Sequence, residues 1–418
     1  MPSIFGAQIQ RGIMDLWYTT TDHAVGQGLM CSGELSDADG NSILTYVYDC
    51  GSSEGDRDRL LGREAKNSKS GLRESLDVLY ISHFDEDHVN GVKILAAERQ
   101  IASIVIPATS LAERVLRFGG VRGVGTGPVS SEDIAIIRDP LAGLRDISPG
   151  TEIIAIDETD PPSLADGAPA DWVGDVVTST PDHTGVVSVA RGTASFWMLK
   201  PWTVPQVSGA RNLFLDALGY DDEASLQADL LTLLQVDEER KRVREAYETA
   251  LAAIRRSDVL NFTSLCLYVG PAVRPQATYR SRRVPTSNLL PGGAQMYRVR
   301  AERRDVGAWG VLPAWIGTGD ALLKEKVRAD LFEAQYRGVA DLVGAITLPH
   351  HGSHWNFSEQ VLLGQPEQMV AVSSAGTTNI YGHPSPAVLA AVSSLGGHVV
   401  SVNEYEASRF TQVRHVKF

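Results

Sequence analysis

This sequence predicts an α/β (α+β) fold, and two observations carry the prediction. Between residues 76 and 107 a strand, a polar loop, a helix and a second strand follow one another, and apolar runs of strand length then recur as far as residue 402. The residues able to do chemistry fall in short loops at the ends of those runs, where a rigid α/β scaffold displays function.

Residues 43–49 (Ile-Leu-Thr-Tyr-Val-Tyr-Asp) are rich in β-branched and aromatic side chains and read as a strand, ended by the turn Cys50-Gly51-Ser52-Ser53. A charged helical stretch follows. Residues 76–81 read as a short buried strand, 89–97 as a helix packed behind it and 101–106 as the next strand. Further strands are expected at 153–156, 262–269, 311–316, 342–348, 369–373 and 398–402, with helices at 322–335 and 386–394. Two segments interrupt this rhythm. The stretch at about 110–257 holds a Pro/Asp/Ala-rich loop at 157–175. Beyond it Val243, Tyr247, Ala250, Leu251 and Ile254 recur at helical spacing, which predicts a mainly helical insertion packed on the sheets. The other segment is basic: over 274–304, Arg274, Arg280, Arg282, Arg283, Arg298, Arg300, Arg303 and Arg304 face only Glu302, within an Arg-rich loop at about 271–308. A single domain spanning 1–418 and carrying these two excursions is the expected organisation.

Composition narrows the function. The net charge of −13 gives no general attraction to nucleic acid or to an anionic membrane. No run approaches the roughly 20 apolar residues of a membrane helix, and residues 1–17 contain no stretch suited to a signal peptide. The three cysteines, Cys31, Cys50 and Cys266, lie far apart among apolar or small neighbours and read as reduced core residues. A cytoplasmic protein is expected, with no membrane partner.

The most informative stretch is Ser82-His83-Phe84-Asp85-Glu86-Asp87-His88-Val89-Asn90-Gly91, where His83, Asp85, Asp87 and His88 fall within six residues between a strand and a helix. Capping the helix needs one side chain. The other three point to a metal, and carboxylates mixed with imidazoles suit zinc, manganese or iron. Downstream, Thr318-Gly319-Asp320 ends a strand with a small-residue turn, Pro349-His350-His351-Gly352-Ser353 ends another, and Tyr381-Gly382-His383-Pro384 brings a further histidine.

Together these residues resemble the metallo-β-lactamase superfamily, and within it the branch that contains the metallohydrolase domain of the DNA-uptake protein ComEC. Asp22-His23-Ala24-Val25-Gly26-Gln27-Gly28 is similar to that branch's amino-terminal element and the His-x-Asp-x-Asp-His run to its metal motif. Asn261-Phe262-Thr263-Ser264-Leu265 resembles its Asn-x-x-Ser-Leu strand, and the Thr-Gly-Asp, His-His-Gly-Ser and Tyr-Gly-His-Pro stretches complete the set. The resemblance covers roughly 22–107 and 261–403, and implies a four-layer αββα sandwich with two divalent ions, Zn or Mn, along one edge. On it, His83 and Asp85 hold one ion, Asp87 and His88 the other, Asp320 bridges them and His351 completes the second site. His350 is then expected to contact substrate, His383 to contact the scissile group or donate a proton, and Asp87 also to orient the nucleophile. This chain departs from the superfamily in carrying Asp85 where histidine is usual, which hardens the first site toward manganese. The usual further histidine has one candidate, His183, which reads as a surface-loop residue.

The implied activity is metal-dependent hydrolysis of a phosphodiester, as by a nuclease, with Arg280, Arg282 and Arg283 pairing with phosphates of the substrate. Two other readings stand beside it: hydrolysis of a small phosphoester or nucleotide, and a partner-binding component of a multi-protein system, such as a defence system, that uses the helical insertion and holds its metals for structure.

Overall fold

The computed structural model describes residues 14–66, 72–120, 131–157, 160–164, 175–204, 208–253, 264–275, 280–283 and 312–418. Sixteen strands among them form two eight-stranded sheets. The first contains β1 (Asp15–Asp22), β2 (Cys31–Asp37), β3 (Ser42–Tyr48), β4 (Ser75–Tyr80), β5 (Gln100–Pro107) and β6 (Glu152–Ile156). The second contains β7 (Val176–Thr178), β8 (Val187–Arg191), β9 (Ala194–Thr203) and β10 (Leu265–Pro271). Then β11 (Arg280–Arg283) belongs to the first sheet, β12 (Ala314–Gly317), β13 (Val343–Thr347), β14 (Val370–Ser374) and β15 (His398–Val402) to the second, and β16 (Phe410–Lys417) again to the first. The strand orders are β11-β16-β1-β2-β3-β4-β5-β6 and β15-β14-β13-β12-β10-β9-β8-β7.

Eleven α-helices accompany the described strands: α1 (Arg57–Lys66), α2 (Glu86–Val89), α3 (Val92–Glu98), α4 (Leu111–Gly120), α5 (Ser131–Arg138), α6 (Pro140–Ile147), α7 (Ser208–Leu218), α8 (Glu223–Gln235), α9 (Asp237–Ala253), α10 (Lys326–Tyr336) and α11 (Pro386–Ser394). Local chemistry sets several of their starts. Asp139 caps α6 by accepting from Ala142 N, with Pro140 in the first turn, and Asp222 caps α8 by accepting from Ser225 N.

Burial divides the molecule into layers. Between the sheets, Tyr18, Tyr46, Tyr48, Val78 and Tyr80 of the first meet Trp197, Leu199, Leu267 and Trp315 of the second. On the outer face of the first sheet, Leu61 of α1, Val92 and Leu95 of α3 and Leu144 of α6 cover Val47, Leu79 and Ile104. On the outer face of the second, Phe332 and Tyr336 of α10 and Val388 and Val392 of α11 cover Ile316, Ile346 and Ala371. The result is an α/β sandwich with helices outside both sheets.

The segment 110–257 is not helical throughout. Strands β6 to β9 within it join the two sheets, while α4, α5, α7, α8 and α9 build an apolar cluster of their own. Much of the basic stretch, 276–279 and 284–311, lies outside the described residues, as do 165–174 of the acidic loop. Cys31, Cys50 and Cys266 are buried free thiols, and no described helix is long and apolar enough to cross a membrane.

Strands β3, β4, β5 and β6 are mutually parallel, and so are β12, β13, β14 and β15. Loops leaving their carboxyl ends are the natural place for a site in such sheets. The sheets are tied there by hydrogen bonds from Leu265 N to Ser82 O (2.8 Å) and from Tyr48 Oη to Leu265 O (2.5 Å).

Candidate metal centre

The loop 81–88 leaves β4 and turns into α2. Asp85 occupies the N-cap position, yet its side chain makes no capping hydrogen bond, so the first carboxylate of the run is not explained by helix initiation. The backbone beneath is held by neighbours: Leu29 N donates to Asp87 O (3.0 Å) and Cys50 N to His88 O (2.8 Å). Gly28 (φ +146°) lets that support approach, since a Cβ there would stand 2.8 Å from Asp87 O.

Asp320 arrives on the turn after β12. A Cβ on Gly319 (φ +50°) would lie 2.5 Å from Ser264 Oγ and 2.6 Å from Ser82 Cβ, so only glycine lets the turn pass between the two sheets. Asp320 N donates to Ser264 Oγ (3.2 Å), and Asn356 Nδ2 donates to Asp320 O (3.0 Å). After β13, His350 and His351 both take left-handed backbone conformations (φ +48° and +56°). Non-glycine residues adopt these at a cost, and they concentrate at functional sites. His383 is bracketed by Asn379, whose Oδ1 accepts from His383 N (2.9 Å) and whose Nδ2 donates to His383 O (2.8 Å).

These loops converge. His88 Nε2 lies 3.1 Å from Asp320 Oδ1, and His351 Nε2 lies 3.9 Å from the same oxygen. The other oxygen, Asp320 Oδ2, is 3.7 Å from His83 Nε2 and 3.5 Å from His350 Nε2. His83 Nε2 is 3.2 Å from Asp85 Oδ2, and His351 Nε2 is 3.2 Å from Asp87 Oδ2. Two triplets of donor atoms, His83/His88/Asp320 and Asp87/His88/His351, each lie within 4.8 Å of one another. His83, Asp85, Asp87, His88, Asp320, His350 and His351 are thus brought together, and His383 stands at their margin with its ring 5.4 Å from that of His350.

The donor set fits divalent cations. His83 Nε2, His88 Nε2 and Asp320 Oδ1 are buried and make no hydrogen bond. Buried polar atoms left so are costly unless something between them is bound. The far nitrogens of the same rings are fixed: His88 Nδ1 meets Asp49 Oδ2 (2.8 Å) and His83 Nδ1 meets Ser82 Oγ (2.8 Å), the outer support that metal-binding imidazoles use. A void of about 10 Å³, lined in part by His88, Asp320 and His351, adjoins them.

Electrostatics point the same way. Burial opposes charge on His88, but Asp320, Asp49 and Asp87 overcome it and push the imidazole well above its ordinary pKa. Burial would raise Asp320; instead His350, His88 and His83 hold it far below the usual carboxylate range. The carboxylates demand positive charge at the centre. At the margin the balance reverses: burial, followed by the charges of His350 and His351, lowers His383 to about 4.

Asp49 was not singled out by sequence reasoning. It follows β3 with φ +57°, is fully buried, and accepts from Ser82 N (2.6 Å) and Ser82 Oγ (2.7 Å) besides His88. Its signal was available, as a carboxylate ending an apolar strand beside the metal loop. Arg280, Arg282 and Arg283 are not brought to this cluster. Their strand β11 pairs with β16 at the sheet edge, Arg282 opposite Val413, five strand positions from β4. His183 is an exposed residue of the turn between β7 and β8.

No family model matches the sequence, and no curated protein does. Among solved structures, the chain is similar to unliganded yeast PDE1, with a TM-score of 0.37 and 10% identity, over 97% of this chain and 100% of that one.

Proposed function

We propose that this protein is a metallo-β-lactamase-type hydrolase of the ComEC-like branch, a phosphodiesterase or nuclease acting with two divalent cations, zinc or manganese, in the cytoplasm. On this reading residues 1–418 form one domain, and the helices of 110–257 are an insertion in it. The observation that carries the proposal is the double-sided carboxylate: Asp320 turns one oxygen to His88 and His351 and the other to His83 and His350. A bridging aspartate between two cations needs that disposition. His83, Asp85 and Asp320 would hold the first ion, and Asp87, His88, His351 and Asp320 the second. When bound, such a pair lowers the pKa of water and neutralises charge building on a phosphoryl oxygen.

The chain's own residues then have separable tasks. In hydrolysis the water oxygen forms a new bond to phosphorus, the bond from phosphorus to the ester oxygen breaks, and one proton must leave the water while the departing oxygen gains one. Asp87, its side chain 21% exposed and 3.2 Å from His351, is the group to orient that water and receive its proton. His350, with 31% of its side chain exposed and its Nε2 3.5 Å from Asp320 Oδ2, lies on the open side of the cluster and suits contact with a phosphoryl oxygen. His383, beside it, suits contact with the leaving group.

The test is a comparison of wild type, Asp87→Ala and Asp320→Ala on DNA, RNA and small diesters, with Mn²⁺ and with Zn²⁺, alongside the metal content of each purified protein. Expected is cleavage by wild type, a loss on the order of 10³-fold or more in each variant, and bound metal reduced in both. Wild type that carries metal but cleaves nothing would favour the partner-binding reading instead. Cleavage confined to small diesters would favour the small-phosphoester one.

A further inference from the structure

Outside the cluster, the loops that carry its histidines also present aromatic rings to solvent. The rings of His351, His383 and Tyr381 form a stair. His351 and His383 are 6.4 Å apart and inclined by 29°, while His383 and Tyr381 are 5.8 Å apart and inclined by 14°. The stair climbs from His351 at 4% exposure to Tyr381 at 46%. The turn after His351 displays a second ring, Trp355, at 59% exposure, packed against His354 with centroids 4.4 Å apart. That turn is rigid: Asn356 Nδ2 is bonded to Asp320 O, Leu323 N donates to Asn356 O (2.9 Å), and Lys324 Nζ donates to His354 O (2.7 Å). Lys324 Nζ also stands 5.1 Å from the centre of the Trp355 ring.

Exposed aromatic rings on the loops that carry candidate metal ligands, one of them with an ammonium 5.1 Å from its centre, match one kind of ligand. It carries a flat π-system next to an anionic group. Bases stack on such rings whatever their identity, and the ammonium suits the neighbouring phosphate. Resting on the phosphodiesterase reading above, we propose that Tyr381 and Trp355 form a stacking subsite for a nucleobase adjoining the scissile diester, with Lys324 beside its phosphate. The substrate class is then nucleotidic rather than a base-free phosphodiester.

The test compares a thymidine dinucleotide with its counterpart lacking both bases. Expected is a KM for the base-bearing diester that rises about tenfold more than that for the abasic one in Tyr381→Ala and in Trp355→Ala, with kcat of both substrates moving together. Tyr381→Phe should keep the wild-type preference. A second measurement needs no turnover: metal-free protein is titrated with fluorescent ethenoadenosine monophosphate, and Tyr381→Ala should bind it about tenfold more weakly than wild type. If wild type cleaves both dinucleotides with equal KM, or the variants bind the fluorescent nucleotide as wild type does, the subsite is refuted while the phosphodiesterase reading survives. If wild type cleaves neither dinucleotide, both fall.

Discussion

Asp49 shows how much of the candidate centre depends on a residue outside the ligand triplets. It takes the Nδ1 side of His88 and two donors from Ser82, so it fixes both the ring's rotation and the start of the 82–88 loop. Loss of such outer support usually lowers metal affinity by about 10- to 100-fold. Asp49→Asn should therefore weaken Zn²⁺ or Mn²⁺ binding by that factor in a competition titration against a chelating dye. Unchanged affinity would mean that Ser82 and the backbone alone hold the ring. The candidate ligands were legible because their types cluster in short motifs, as in the run 83–88, and each motif follows a strand-like apolar run. Asp49 was hidden because a single acidic residue after a strand is common. Its meaning lies in register, since Tyr48 pairs with Tyr80 and Asp49 therefore stands beside the loop that follows.

At the scale of elements, α1 is pinned to the sandwich by Glu64. This fully buried carboxylate receives Arg409 through two bonds (2.8 and 2.9 Å), Arg63 Nε at 2.9 Å and His23 Nδ1 at 3.1 Å. Burial alone would raise its pKa, but His23 and Arg409 hold it well below the ordinary range. Because the folded value is depressed, the contribution is complete above the unfolded value of about 4.3 and declines as pH falls through that value toward the folded one. Glu64→Gln strands the buried Arg409 and should cost about 3–5 kcal/mol near pH 7. In urea denaturation the gap between wild type and variant should narrow steadily below about pH 4; a gap that stayed constant would exclude Glu64 as its source.

The elements legible by pattern are those dominated by apolar or β-branched residues, such as β3, β4 and β5, and α11 with its leading Pro386. Strand β16 escaped notice because its inward positions include Gln412 and Arg414. These are buried and bonded to each other (2.6 Å), with Arg414 also bonded to Thr20 (3.2 Å), so polarity disguised an interior strand. Its partner β1 has threonines at 19–21 for the same reason. In β9, Lys200 and Pro201 broke the pattern of a strand otherwise buried over most of its length.

For the whole molecule, two parallel strand sets end on one margin, and the centre draws on both: Asp49 and the 83–88 loop from the first sheet, Asp320, His350 and His351 from the second. The arginine strand lies at another edge of the first sheet, so it can act only on a ligand long enough to reach it. Neutralising Arg282 and Arg283 to Gln should raise KM and flatten the salt dependence for long nucleic acid while leaving a dinucleotide's KM unchanged. An equal effect on both substrates, or none on either, would show that the edge does not bind substrate.

The pairing of β1 with β16 runs through eight residues without a slip, Asp15 opposite Lys417 to Asp22 opposite Phe410. Synthesis therefore produces β1, and β2 beside it, nearly four hundred residues before the neighbour on its other side exists, and Asp320 and His351 also emerge late. Until then His83 and His88 lack Asp320 and His351, the late donors of the two triplets, so both candidate sites are complete only once the strands of the second sheet have been made.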